Sequence, residues 1–229
     1  MTKFKSRTDS KPGIFITFEA SEAAGKDTQV AILEAKINSE YKTEVVSLRD
    51  PGGTVIGEKL REIIKTKSPD YELCSAAEML CTQATRAQLV AEKIVPALKA
   101  GKIVICNRFY DSTVAYQGFG RGISLKLIQD VIEYTTMGIK PVMTLYLRVD
   151  RAVALERVKK SRPGAAGDRF DLLGDAFFAR VNEGFEAQAK MFPLRIFPID
   201  ANESIDQVAL DIWNRVKWLV DTHYEQDPA

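Results

Sequence analysis

Residues 14–29 read I-F-I-T-F-E-A-S-E-A-A-G-K-D-T-Q, and the first five form a β-branched and aromatic run set off by Pro12-Gly13. Such a run is the signature of a buried strand. The residues after it nearly spell the phosphate-binding pattern G-x-x-x-x-G-K-[ST], with Ala20 and Ala23 where glycines are missing and Asp27 in place of the hydroxyl residue. A strand, a loop of small residues, a lysine and a helix form the setting in which backbone N–H groups and a helix N-terminus hold a phosphate, with Lys26 as a mobile cation. Neither alanine removes an N–H, and alanine for glycine is harmful only at positive φ or where a ligand leaves no room for a Cβ. Asp27 is harder: about 5 Å from a phosphate charge, a carboxylate costs roughly 3 kcal/mol at an effective dielectric of 20. It must therefore bind a metal ion or turn away, as an acid in the first turn of a helix can by bonding free N–H groups. Taken alone, the loop fits either a phosphate cradle or a plain strand-to-helix turn.

Working outward, similar apolar runs recur at residues 44–48, 103–107, 143–148 and 195–199. Between them lie segments of helical period at 28–38, 57–65, 76–100, 125–137, 150–160, 172–190 and 204–221. In the longest, apolar residues at 80, 84, 87, 91, 94 and 98 step by four and three and so share one helical face. Pro96 inside it marks either a kink or a break. Strands alternating with helices imply a parallel sheet with right-handed crossovers, an α/β domain of three layers with its ligands at the carboxyl ends of the strands. The stretch S-R-P-G-A-A-G-D-R, residues 161–169, carries two arginines among glycines and proline and reads as a mobile flap or as an ordinary surface turn.

Composition excludes more than it identifies. With 229 residues, 45% of them hydrophobic, the chain can bury one sizeable core. A formal net charge of +1 gives no global attraction to nucleic acid or a membrane surface. The polar start M-T-K-F-K-S-R-T is no secretory signal, and no stretch approaches the length of a membrane span, which suits a cytoplasmic protein. Cys74, Cys81 and Cys106 have neither C-x-x-C spacing nor histidine partners and suit reduced, buried thiols. The one histidine, His223, lies in a polar tail, so chemistry must come from Lys, Arg and carboxylates.

Further blocks appear in a fixed order: L-R-D-P-G-G-T-V-I-G-E-K-L-R-E-I-I, A-T-R-A-Q-L-V, P-A-L-K-A-G-K-I-V-I-C-N-R-F, D-S-T-V-A-Y-Q-G-F-G-R, L-Y-L-R-V-D-R-A-V-A-L-E-R and G-D-R-F-D. Together with the loop they make the chain resemble thymidylate kinases, P-loop enzymes that phosphorylate dTMP, from Gly13 to about Leu219. The resemblance implies a three-layer P-loop kinase fold with a central five-stranded parallel sheet. It implies one kinase domain over residues 13–221 with a lid near 159–170, between a polar extension at 1–12 and a polar tail at 222–229. ATP as donor, dTMP as acceptor, Mg2+ as cofactor and a homodimer built on helices flanking the sheet are implied as well.

Residue by residue, the resemblance assigns ATP to the loop residues Ala20, Ser21, Glu22, Ala23, Ala24 and Gly25 and to Lys26, Asp27 and Thr28 at the helix start. Glu22 would also face the acceptor's sugar and phosphate, with Arg49 near that phosphate. Lys26, Arg108 and the lid arginine Arg162 would act on the transferring group; Arg108 would also clamp the acceptor phosphate. Arg86 would hydrogen-bond the thymine edge beside Thr113 and Gln117, and Tyr116 would disfavour a ribose. Phosphoryl transfer asks mainly for positioning and cations, so no histidine is needed.

Two departures from the family bear on the chemistry. The family's D-R-Y aspartate, associated with magnesium, is Asn107 here, while Asp27 stands at the loop hydroxyl. Either the metal-linked carboxylate has moved from the strand end to the loop, or two unrelated changes have left Asp27 as a helix cap. Thr82 stands where many relatives carry a Phe, one helical turn before Arg86. Losing a stacked ring costs about 1 to 3 kcal/mol of acceptor binding unless another ring, such as Phe109 or Phe119, substitutes. That leaves two rival readings, a kinase of the same fold for another deoxynucleotide and an inactive nucleotide binder.

Overall fold

Five short strands form one sheet in the order β2-β3-β1-β4-β5, all parallel. They are β1 (Ile14–Glu19), β2 (Val46–Arg49), β3 (Ile103–Asn107), β4 (Met143–Arg148) and β5 (Ile196–Asp200). The computed structural model describes residues 12–41, 43–70, 72–161, 169–170 and 173–224. As the central strand, β1 is buried at every residue, which is why its sequence is a continuous apolar run rather than an alternating one. Its side chains still alternate between layers. Ile14, Ile16 and Phe18 join Leu33, Ile37, Ile105, Ile212 and Val216 on one face, and Phe15 joins Leu89, Ile94, Val104 and Phe109 on the other. Each such residue contributes about 1.5 to 3 kcal/mol by burial.

The first face is covered by α1 (Lys26–Tyr41) and α9 (Ile205–Tyr224). The second is covered by a long helical stretch: α3 (Ser75–Leu89), a π-helical turn at Val90–Ile94, and α4 (Val95–Lys99). Pro96 therefore marks no break. The Val95 N–H bonds the Val90 carbonyl five residues back, and this widened turn leads into a helix that continues through Pro96, a residue with no N–H to donate. The remaining helices are α2 (Val55–Lys65), α5 (Tyr110–Thr113), α6 (Leu125–Thr135), α7 (Arg151–Ser161) and α8 (Asp175–Met191).

α3 buries a face its apolar period does not indicate. Leu80, Ala84 and Ala91 of that period are exposed, whereas Glu78, Thr82, Gln83, Thr85 and Arg86 are buried. The polar side finds its partners on several elements: Asp50 after β2 takes Thr85 and Arg86, Thr113 takes Gln83 and Arg86, and Glu78 takes Gln117 and Arg121. A second π-helical segment, Val114–Gly120, follows α5 directly and packs on α8. Contact is close because Gly184 of α8 has no side chain: a Cβ there would come within 2.9 Å of the Ala115 Cα. α9 runs to Tyr224, so His223 belongs to its last turn, with a ring nitrogen 3.1 Å from the Gly101 carbonyl. Of the cysteines, Cys106 is buried, Cys81 half-buried and Cys74 exposed, so burial holds fully for Cys106 alone.

Candidate active site

Strand register decides what meets at the carboxyl edge. Phe18 of β1 and Arg49 of β2 both pair with Asn107 of β3, which brings Glu19, Arg49, Asn107 and Arg108 to one rim. Above that rim lies a cleft of about 890 Å³, bordered by Glu22 to Gln29 at one end and by Thr82, Arg86, Thr113, Tyr116 and Gln117 at the other. Gly25 sits at φ +78° with open space where a Cβ would go, so dihedral freedom and not room requires the glycine. Ala23 sits at φ +47°, the position at which alanine for glycine does carry a cost, about 1 to 2 kcal/mol.

Arg108, itself at φ +70°, threads under this loop. Its guanidinium donates to the carbonyls of Ala20 (2.7 Å) and Ser21 (2.5 Å), to Ser112 Oγ (3.0 Å) and to the Tyr116 hydroxyl (3.2 Å). It also lies over the Tyr116 ring at 5.1 Å. The fork thus reads two loop carbonyls at once, a geometry lysine cannot copy.

Beneath it, the buried Glu19 accepts from the backbone N–H of Phe109 (2.7 Å) and from Ser112 Oγ (2.5 Å). Burial, with the nearby Asp111 adding to it, raises the Glu19 pKa to about 7 against the pull of Arg108. Lys26 is lowered to about 7, first by desolvation in the loop and then by the charge of Arg108. A triphosphate placed beside Lys26 favours its ammonium form, so binding must take up a proton at a pH above the free value. Calorimetry of ATP binding at about pH 8 in buffers of different ionisation enthalpy is expected to show uptake approaching about one proton, with affinity falling as pH rises. Uptake of none would contradict this placement of Lys26.

Asp27 stands in the first turn of α1 and does not stand alone. Its Oδ1 accepts from Asn107 Nδ2 at 2.5 Å, across 80 residues of sequence. The two residues exchanged relative to the family thus touch. Among the described residues no cluster of three His, Cys, Asp or Glu side chains forms a metal cage. One exposed carboxylate beside an amide, at the mouth of a phosphate loop, suits magnesium, which takes one or two carboxylates and completes its shell with water and phosphate oxygens.

At the other end Arg86 is 1% exposed, and each of its three nitrogens makes one hydrogen bond. Nε donates to Asp50 Oδ2 (2.5 Å), Nη1 to Thr113 Oγ1 (2.8 Å) and Nη2 to the Phe109 carbonyl (3.1 Å). Burial raises the Asp50 pKa and Arg86 opposes that shift. Gln117 Nε2 donates to Glu78 Oε1 at 2.8 Å, and Glu78 also receives Arg121 (2.8 Å) and Arg169 (2.6 Å). A carboxylate only accepts, so this contact fixes the Gln117 amide with its carbonyl oxygen left as an acceptor.

The thymidylate kinase family model matches residues 18–212. The chain belongs to the thymidylate kinase family. It is 42% identical over 204 residues to the thymidylate kinase of Synechococcus sp. strain JA-3-3Ab, covering 89% of this chain and 95% of that one. It is 40% identical over 210 residues to that of Pelotomaculum thermopropionicum, covering 91% and 95%. The crystal structure of the Ehrlichia chaffeensis thymidylate kinase superposes with a TM-score of 0.72 at 30% identity, over 90% of this chain and all of the other. The architecture is accordingly the P-loop kinase fold expected from the sequence, and the chain is a kinase.

Most of the residues the resemblance singles out border one cleft: Glu22, Ala23, Ala24, Gly25, Lys26, Asp27, Thr28, Arg49, Thr82, Arg86, Asn107, Arg108, Thr113, Tyr116 and Gln117. Ala20 and Ser21 do not border it; they are buried, and their carbonyls hold Arg108. Arg49 borders the cleft while pairing with Glu58 at 2.7 Å. Arg162 and most of the expected lid lie outside the described residues. Neither Phe109 nor Phe119 can replace the ring missing at Thr82: Phe109 is buried beneath Arg86, and Phe119 packs at Gly184. Sequence reasoning passed over Glu19, whose burial no local pattern reveals, and Asp50, Glu78 and Phe170. Asp50 and Phe170 stood within family blocks without an assigned part, and that was the available signal.

Proposed function

We propose that this chain transfers the γ-phosphoryl group of ATP to dTMP, giving dTDP and ADP on the route to dTTP. The carrying observation is a single cleft with a phosphate loop and Lys26 at one end, Arg86 and Gln117 at the other, and Arg108 between them. An N–H donor facing an acceptor and a carbonyl facing an arginine is what a thymine edge requires; cytosine would set its amino group against the arginine. Where charge spreads over equatorial phosphoryl oxygens, the Lys26 ammonium and the Arg108 guanidinium would supply compensating positive charge without a proton acceptor of their own. Asp27, with Asn107 beside it, would hold magnesium, which when bound neutralises phosphate charge. Asp27→Ala is expected to raise the magnesium concentration for half-maximal turnover at least about ten-fold, the scale on which even loss of an outer-shell partner weakens a metal site. An unchanged magnesium titration would sink that assignment.

Exposed apolar residues on packed neighbours, Ile63 of α2, Leu80 of α3, and Leu127 and Tyr134 of α6, support a homodimer formed through these helices. The proposal is tested by following ADP formation from ATP and magnesium with and without dTMP, on protein whose mass in solution is measured by light scattering. Turnover that needs dTMP is expected from a dimer; ATP binding with no acceptor-dependent turnover would refute the activity, and a monomer would refute the dimer.

A further inference from the structure

Thr82 leaves α3 without a ring beside Arg86, and its hydroxyl is spent on the Glu78 carbonyl of its own helix at 2.9 Å. Among the described residues that border the cleft, the aromatic rings are those of Tyr116 and Phe170. Tyr116 is committed elsewhere. Its hydroxyl donates to the Ser21 carbonyl (2.9 Å), Arg108 covers its ring, and Phe177 and Phe185 meet it at 6.1 and 6.3 Å.

We propose that Phe170 supplies the aromatic contact to the acceptor base that α3 lacks, and so sets acceptor affinity and base preference. The inference rests on the nucleoside monophosphate kinase reading above. Phe170 is half-buried, borders the cleft, and stands edge-on to Tyr116 with centroids 6.0 Å apart. Its position is fixed through its neighbour. The Arg169 N–H bonds the Lys65 carbonyl (3.1 Å), Arg169 Nε the Ile64 carbonyl (3.1 Å), and Arg169 Nη2 Glu78 Oε2 (2.6 Å), while the guanidinium lies 5.0 Å from the Phe170 ring. Arg169 therefore ties the ring to the end of α2 and to the carboxylate that orients Gln117. One buried acid, Glu78, sets both the polar and the aromatic partners of the base. Such an arrangement is preorganised: the ring needs little ordering when the acceptor arrives.

The test is steady-state kinetics of Phe170→Ala and Phe170→Leu, each with and without Thr82→Phe, with both substrates varied. Phe170→Ala is expected to raise the acceptor KM on the order of ten-fold, as base–aromatic contacts do, and Phe170→Leu to raise it less. The ATP KM should stay within about two-fold, and Thr82→Phe should restore acceptor binding by returning a ring to α3. An unchanged acceptor KM in both single variants, equal rises in both substrates' KM, or no rescue by Thr82→Phe would overturn the proposal. The parent protein is first assayed with dTMP, dUMP, dCMP, dGMP and dAMP. If another acceptor is preferred, the dTMP reading fails by itself, and the Phe170 variants are scored on the preferred acceptor.

Discussion

Arg108→Ala is expected to lower kcat on the order of 10³-fold, the scale on which an arginine acts on a transferring phosphoryl group. The residue is held where the loop, Glu19 and the acceptor end converge, and its guanidinium already bonds two loop carbonyls. Truncation removes charge and fork together. Arg108→Lys keeps the charge without the fork and is expected to recover only part of the loss. Steady-state kinetics and thermal unfolding of the same preparations check this. A deficit that follows kcat, with the unfolding midpoint nearly unchanged, supports action on the reacting group; a midpoint that collapses with kcat would make Arg108 a structural strut.

The second large effect is on stability. Asp50→Ala leaves the Arg86 guanidinium 1% exposed and without its counterion, and breaking such a buried pair from one side costs about 3 to 5 kcal/mol. At about 2 to 4 °C per kcal/mol for a chain of this size, thermal unfolding falls by roughly 10 °C. The double variant Asp50→Ala/Arg86→Met should be more stable than Asp50→Ala alone, because the uncompensated charge is gone, while acceptor-dependent turnover stays low. Parallel melting curves decide it. A double variant no more stable than Asp50→Ala would mean that packing, not charge, holds this end of the cleft.

The strands were legible because a buried parallel sheet needs continuous apolar runs, and each of the five runs contains or overlaps a strand. The helical segment at residues 110–120 was not, because D-S-T-V-A-Y-Q-G-F-G mixes β-branched residues with two glycines and shows no apolar period. α3 misled in the opposite sense: Leu80 and Ala84 of its apolar period are exposed, whereas Glu78, Thr82, Gln83, Thr85 and Arg86 are buried beside Met79 and Leu89. At the site, residue types could be read from motifs, but pairings could not. Arg86 finds Asp50 across 36 residues, and Asp27 finds Asn107 across 80, through strand register that only the folded sheet supplies. Phe170 escaped notice for the same reason, since its part depends on Arg169 reaching α2 and α3.

The most direct test of the whole account is a comparison of kcat/KM for dTMP, dUMP, dCMP, dGMP and dAMP with ATP and magnesium held saturating. A site that sets a glutamine carbonyl and an arginine against the base predicts turnover of dTMP and dUMP well above that of dCMP and of either purine. A purine preferred over dTMP, or no turnover with any of the five while ATP still binds, would contradict it.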